Sequence, residues 1–324
     1  MYGVQRSRQL GSKETSYPLI YLILKHAEGY DPAPLVHEHA GELFTGQVGQ
    51  YGLKCTNGGV AGAANATGTF EDVGGVNTYL SYPPGKPSQQ NSSAEVAILY
   101  LTDIFGVELI NNRLLADRLA AAGYLVVEPD LFGGDPVPVD QMGTPGFNMT
   151  EWRARHPPEA IDAVVTSTIA AIRSQFGVKK IGAVGYCFGG KYVARFLAQG
   201  RGLDAGFTAH PSNVVATEWE GIAAPLSIAF GELDGSNTPA QRAAAEAIFR
   251  AKNATFQTSL YAGAEHGFAV RTNLTDPKKA FAQESAYFQA VRFWKDRSAH
   301  RNEKLVLAGA RTTWLVSAST SISR

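Results

Sequence analysis

Short apolar runs recur along this chain from Thr69 onward, most of them followed by a turn and then a stretch with helical spacing. Thr69–Val73 and Val76–Tyr82 are β-rich and joined by Gly74-Gly75, which predicts a hairpin decorating a sheet edge. Ala94–Leu101 is the first strong core strand. The helix after it is expected to be capped by Asn111 or Asn112, to carry Leu114, Leu115 and Leu119 on one side, and to end at Gly123. Leu125–Pro129 is the next strand, and a strand, helix, strand unit of this kind crosses over right-handed. Residues 130–158 hold many Gly and Pro and predict a long functional loop. A helix is expected over 161–176, then a buried strand at Ile181–Val184 and a helix from Gly190. Further strands fall at 205–209, 225–230 and 255–261, with helices at 239–252 and 277–296. This alternation predicts an α/β fold, a doubly wound and mostly parallel sheet with helices on both faces, over residues 69–296.

The flanks lack such periodicity. Residues 1–55 are expected to be a weakly structured extension, 56–68 a Gly/Ala/Asn-rich linker, and 297–324 a basic, Ser/Thr-rich and poorly ordered tail. His37 and His39 flank Glu38, but no further ligand stands at a metal-binding spacing, so a surface loop is the expectation and no metal is assigned. With Lys+Arg and Asp+Glu both at 29 of 324 residues, no global field recruits nucleic acid or an anionic membrane. No apolar run approaches the ~20 residues of a membrane span. Cys55 and Cys187 are the only cysteines, which excludes a disulfide framework. The apolar run Tyr17–Leu24 follows Arg6 and Arg8 but has no clear cleavage site, favouring a cytoplasmic protein. Sequons at Asn65, Asn91, Asn148, Asn253 and Asn273 keep secretion as the alternative. Oligomeric state is not readable from the sequence.

The chemistry centres on Gly185-Tyr-Cys187-Phe-Gly189, between a buried strand and a helix. This is nucleophile-elbow spacing with sulfur as the nucleophile. The glycines leave room for a sharp turn, the Phe188 amide points at a developing oxyanion, and the helix N-terminus favours negative charge. A Gly-rich turn also opens nucleotide sites, and a cysteine there can simply be a small buried hydrophobe. The run has neither a P-loop ending nor dinucleotide glycine spacing. An elbow needs an acid and a base from later strand ends, and Asp234 and His266 follow the last two predicted strands. Nucleophile, acid, base is the α/β-hydrolase order. His210 also ends a strand and is a candidate to line the site.

With these positions in place, the sequence resembles the dienelactone hydrolase family, particularly its fungal members. The resemblance spans roughly Thr69 to Asp296 and rests on Leu101-Thr-Asp-Ile-Phe-Gly-Val107, Pro129-Asp-Leu-Phe-Gly-Gly-Asp-Pro136, Gly185-Tyr-Cys-Phe-Gly-Gly190, Gly231-Glu-Leu-Asp234 and His266-Gly-Phe268. It implies an α/β-hydrolase with Cys187 as nucleophile, His266 as base, Asp234 as orienting acid, and the amides of Ile104 and Phe188 as oxyanion donors. Asp103 holds the place of the family's acidic residue beside the nucleophile, one methylene shorter than the Glu of bacterial members. Arg271 is the implied holder of a substrate carboxylate, with Arg153 and Arg155 of the long loop as further candidates. The implied reaction cleaves a small-molecule lactone or ester through a thioester acyl-enzyme, without metal or organic cofactor. A general carboxylesterase, another lactone hydrolase, or a catalytically idle binding protein are the alternatives.

Overall fold

A computed structural model describes residues 65–85 and 96–294, together with a short antiparallel ladder of β1 (Cys55–Thr56) and β2 (Gly59–Val60). Apart from that ladder, the expectations for the 1–55 extension, His37 and His39, most of the linker and the 297–324 tail lie outside the described residues.

The core elements are β3 (Thr69–Asp72), β4 (Asn77–Ser81), β5 (Val96–Leu101), α1 (Ile110–Ala121) and β6 (Leu125–Pro129). These are followed by α2 (Met149–Arg155), α3 (Pro158–Phe176), β7 (Lys180–Tyr186), α4 (Phe188–Phe196), β8 (Ala205–Ala209) and α5 (Ala216–Gly221). Then come β9 (Leu226–Gly231), α6 (Pro239–Ala251), β10 (Phe256–Tyr261) and a last helix, α7, over 277–294. Eight strands form one sheet in the order β10-β9-β8-β7-β5-β6-β4-β3. The six strands from β10 to β6 are parallel, and β4 and β3 join antiparallel. Every residue of β6, β8 and β9 is buried, as expected of strands covered on both faces. One face packs Leu115 and Leu119 of α1 and Ala286 and Ala290 of α7. The other packs Val165 and Ile172 of α3, Val193 of α4 and Phe249 of α6.

The hairpin, as expected, lies at the sheet edge, turning at Gly74 and Gly75, both at positive φ, with β4 paired to β6. Asp117 of α1 anchors it, accepting hydrogen bonds from Tyr79 at 2.8 Å and Ser81 at 2.7 Å. Other elements differ from the sequence expectation, each for a local reason. Neither Asn111 nor Asn112 caps α1, whose N-cap is Leu109. Their amides turn inward: Asn111 donates to the Val270 carbonyl, and Asn112 to Asp103 and the Gly106 carbonyl. The 130–158 stretch is not all loop, since Asn148 caps α2 by accepting from the amides of Thr150 and Glu151. Among the described residues, no helix is long and apolar enough to cross a membrane.

Candidate active site

Cys187 stands between β7 and α4 with φ of 52°, a left-handed conformation rare for a side-chain-bearing residue. Its neighbours make that turn possible. A Cβ on Gly185 would lie 2.5 Å from Val193 Cγ2, and one on Gly189 would strike the Leu101 carbonyl oxygen. The backbone holds the turn from several directions. Cys187 N donates to Ala209 O at 3.2 Å, Ser212 N to Cys187 O at 2.9 Å, and Gly189 N to Thr102 O at 3.0 Å. The last bond brings the end of β5, and with it Ile104, beside the first turn of α4 that begins at Phe188.

Three predicted side chains converge here. Cys187 Sγ lies 3.0 Å from His266 Nε2, and His266 Nδ1 lies 2.9 Å from Asp234 Oδ1. Asp234 is fixed in turn by the Ser236 amide at 2.8 Å and by Asn237 Nδ2 at 2.9 Å, the Asn237 amide also reaching Pro211 O. Burial opposes charge on Asp234, yet the hydrogen bond from His266 and those from Asn237 and Ser236 hold its carboxyl below the usual range. Burial also opposes protonation of His266. The bonds to Asp234 and Cys187 outweigh it and lift the imidazole to about 10. The arrangement therefore favours a protonated imidazole facing the Cys187 sulfur.

A fourth side chain belongs to this cluster. Ser212 Oγ lies 3.3 Å from Cys187 Sγ and 3.2 Å from His266 Nε2. The sequence marks Ser212 only through the run Ala209-His-Pro-Ser212. Its signal is position, two residues beyond the strand-end His210 and at the same sheet edge as the ends of β7, β9 and β10. Asn237 follows Asp234 by three positions, but its second acceptor, Pro211 O, lies 26 positions away, and the loop spacing alone does not mark it.

The other predicted residues sit apart from the thiol. His210 is fully buried with φ of 41°, its ring edge-on to His266 at 5.2 Å and to Phe268 at 5.4 Å. Neither ring nitrogen has a hydrogen-bond partner among the described residues, so in this structure His210 packs against His266 and offers no exposed atom to a substrate. Burial, reinforced by the charge on His266, holds it well below its ordinary pKa and therefore neutral. The Asp103 carboxylate faces Asn112 Nδ2 and the Phe105 amide, both at 3.1 Å, and Arg271 Nε at 3.4 Å. Its partners are thus the arginine side of the site and not the sulfur. Burial pushes the Asp103 carboxyl up, and Arg271 and the two donors pull it back only in part. Arg155 pairs with Asp135 at 2.8 Å on the surface, and Arg153 is exposed. Phe188 packs with Phe132 at 5.3 Å and Trp152 at 6.0 Å, which makes the 130–158 segment an aromatic wall beside the elbow. Among the described residues no group of three or more His, Cys, Asp or Glu side chains converges as a metal site.

A mostly parallel sheet with helices on both faces and a sharp strand-to-helix elbow at a central strand end makes this an α/β-hydrolase fold. The dienelactone hydrolase-like promiscuous phosphotriesterase from metagenomic libraries shares the fold, with a TM-score of 0.54 and 19% identity over 72% of this chain and 99% of that one. The chain belongs to the dienelactone hydrolase family, whose model matches residues 83–298, and it is a hydrolase of that type. The hydrolase pyvD of Aspergillus violaceofuscus is 42% identical over 238 residues, 74% of this chain and 94% of that protein. The hydrolase tropI of Talaromyces stipitatus is 41% identical over 237 residues, 71% of this chain and 90% of that protein.

Proposed function

We propose that this hydrolase opens a lactone or carboxylic ester, with Cys187 as nucleophile, His266 as acid and base, and Asp234 as the group that orients His266. The observation that carries the reading is the continuous contact from sulfur through both imidazole nitrogens to a fully buried carboxylate, at 3.0 and 2.9 Å. The thiolate adds to the carbonyl carbon, and the amides of Ile104 and Phe188 receive the oxyanion. Collapse breaks the acyl carbon–oxygen bond, and the leaving oxygen takes the proton from His266 Nε2. The product is a thioester on Cys187, with the alcohol arm still attached when the substrate is a lactone. His266, now neutral, draws a proton from water as that water attacks the thioester. The acid leaves, and the proton remaining on His266 restores the ion pair. No metal or organic cofactor enters these steps.

Arg271 supports a second reading of the substrate. Its guanidinium already faces Asp103 and stacks 4.2 Å over the Phe105 ring, so its charge is partly matched before any substrate arrives. That favours an uncharged ester or lactone over one bearing a carboxylate, the general carboxylesterase alternative.

Turnover of dienelactone and of p-nitrophenyl acetate by wild type, Cys187→Ala and His266→Ala tests both points. Activity lost in the two variants, with an acyl adduct on Cys187 by intact mass, supports the mechanism. Activity that persists without Cys187 overturns it. Faster turnover of the neutral ester supports the second reading, and faster turnover of dienelactone the first.

A further inference from the structure

We propose that Ser212 is a fourth catalytic side chain, whose hydroxyl donates to the Cys187 sulfur and holds the thiolate–imidazolium pair in place before substrate binds. The inference rests on the reading of Cys187 and His266 above and extends it to a residue at the end of a different strand.

The geometry is a closed triangle. Sγ, Nε2 and Ser212 Oγ are 3.0, 3.3 and 3.2 Å apart, so each atom is within hydrogen-bond reach of the other two. The protons available decide which charge state that triangle favours. With a neutral thiol and a neutral imidazole, His266 Nε2 has one lone pair and two candidate donors, S–H and Ser212 O–H, while the thiol sulfur is a weak acceptor. One of the two donors is then poorly used. With the proton moved to His266, Nε2–H and Ser212 O–H both converge on a negatively charged sulfur, and no donor competes with another. Hydrogen bonds to an ionised acceptor are the strong ones. The hydroxyl therefore selects the ion pair.

Ser212 is also placed by more than its side chain. Its amide donates to the Cys187 carbonyl at 2.9 Å, so the hydroxyl and the nucleophile are fixed within one backbone contact. Asp103, the acidic side chain that could otherwise have touched the sulfur, is committed to Arg271, Asn112 and the Phe105 amide. An ionised carboxylate beside the sulfur would repel a thiolate, and a hydroxyl does not. The remaining ionisable groups around the triangle are Asp234 on His266 Nδ1, neutral His210 against the His266 ring, and the Asp103–Arg271 pair. None of them donates to the sulfur, which leaves Ser212 and His266 as its two side-chain partners among the described residues.

Once Cys187 is acylated the sulfur is no longer charged, and the hydroxyl keeps its other contact, to Nε2. It then holds the imidazole in line with Asp234 while water approaches.

The test is the pH dependence of Cys187 alkylation by iodoacetamide and of kcat/KM for p-nitrophenyl acetate, in wild type, Ser212→Ala, Ser212→Gly and Ser212→Thr. In the alanine and glycine variants the acid limb of both profiles is expected to move up by about one pH unit, slowing the reaction about tenfold on that limb and little at high pH. Threonine, which keeps the hydroxyl, is expected to restore the wild-type limb. A space-filling role alone moves the melting temperature and leaves the limb where it is. Unmoved limbs in both Ser212→Ala and Ser212→Gly overturn the inference, and agreement between the two variants guards against one that folds poorly. Turnover that survives Cys187→Ala overturns the underlying mechanism instead, whatever the Ser212 variants do.

Discussion

Arg271 Nε lies 3.4 Å from Asp103 Oδ2, joining a fully buried carboxylate to an arginine that keeps 28% of its side chain in solvent. The buried partner of such a pair depends on the other far more than the reverse holds. Arg271→Met is therefore expected to cost about 3 kcal/mol of stability at pH 8. The sign with pH follows from the raised Asp103 pKa. As pH climbs past the unfolded value toward the raised folded one, the native state binds a proton that the unfolded chain has lost, and stability falls. The variant should thus lose less at pH 5 than at pH 8, and Asp103→Asn in the same background should recover part of the loss. Urea melts at the two pH values check this, and a pH-independent loss would refute it.

The contact at Gly189 is a second point of leverage. Its added Cβ would meet the Leu101 carbonyl, which belongs to a central strand and cannot swing away. Gly189→Ala is expected to cost ~3 kcal/mol or more, or to drive the chain into the insoluble fraction. At Gly235, one residue after Asp234, a Cβ meets nothing within 4 Å, so Gly235→Ala should stay within about 0.5 kcal/mol of wild type. Soluble yield and urea midpoints compare the two.

His266 carries a pH signature of its own. A histidine whose folded pKa is raised to about 10 contributes stability that is complete below its unfolded value near 6.5 and is lost as pH rises through 10. The lift comes in part from Cys187, so in Cys187→Ala the decline, which starts near 6.5 in both proteins, should be smaller and end at lower pH than in wild type. Melts in steps between pH 6 and 10 give the two curves. Superimposable curves would mean that the sulfur does not hold the imidazolium.

Glu128 lies in β6, fully buried, with neither carboxylate oxygen hydrogen-bonded. Burial raises its pKa well above the usual range, against the pull of Arg113. Its charged form penalises the fold as pH rises, so Glu128→Gln should stabilise the protein by about 1–2 kcal/mol at pH 9 and do little at pH 5. Equal stabilisation at both values would point to packing instead of charge.

The sheet was largely legible because parallel strands buried on both faces read as continuous apolar runs, and β6 and β8 match their expected spans. The elbow was legible because two glycines at fixed spacing leave a local mark. What could not be read were contacts between distant strand ends. Asn111 and Asn112 look like caps, yet their amides serve acceptors up to 159 positions away. Ser212 lies 25 positions from Cys187 and 54 from His266, and no sequence window holds all three. The direction in which Asp103 faces is likewise set by Arg271, which arrives from the far end of the domain. Helix α2 was hidden because its Asn148 cap sits in a stretch dense in Gly and Pro.

His266 follows Cys187 by 79 positions and Asp234 by 32. During synthesis the cysteine is therefore made several seconds before His266, at about 5–20 residues per second. Until β9 and β10 have docked, the Cys187 sulfur lacks the imidazole that lies 3.0 Å from it in the folded domain. A sulfur paired with an imidazole thus becomes a property of the finished domain alone, present only once the last two parallel strands have been laid down.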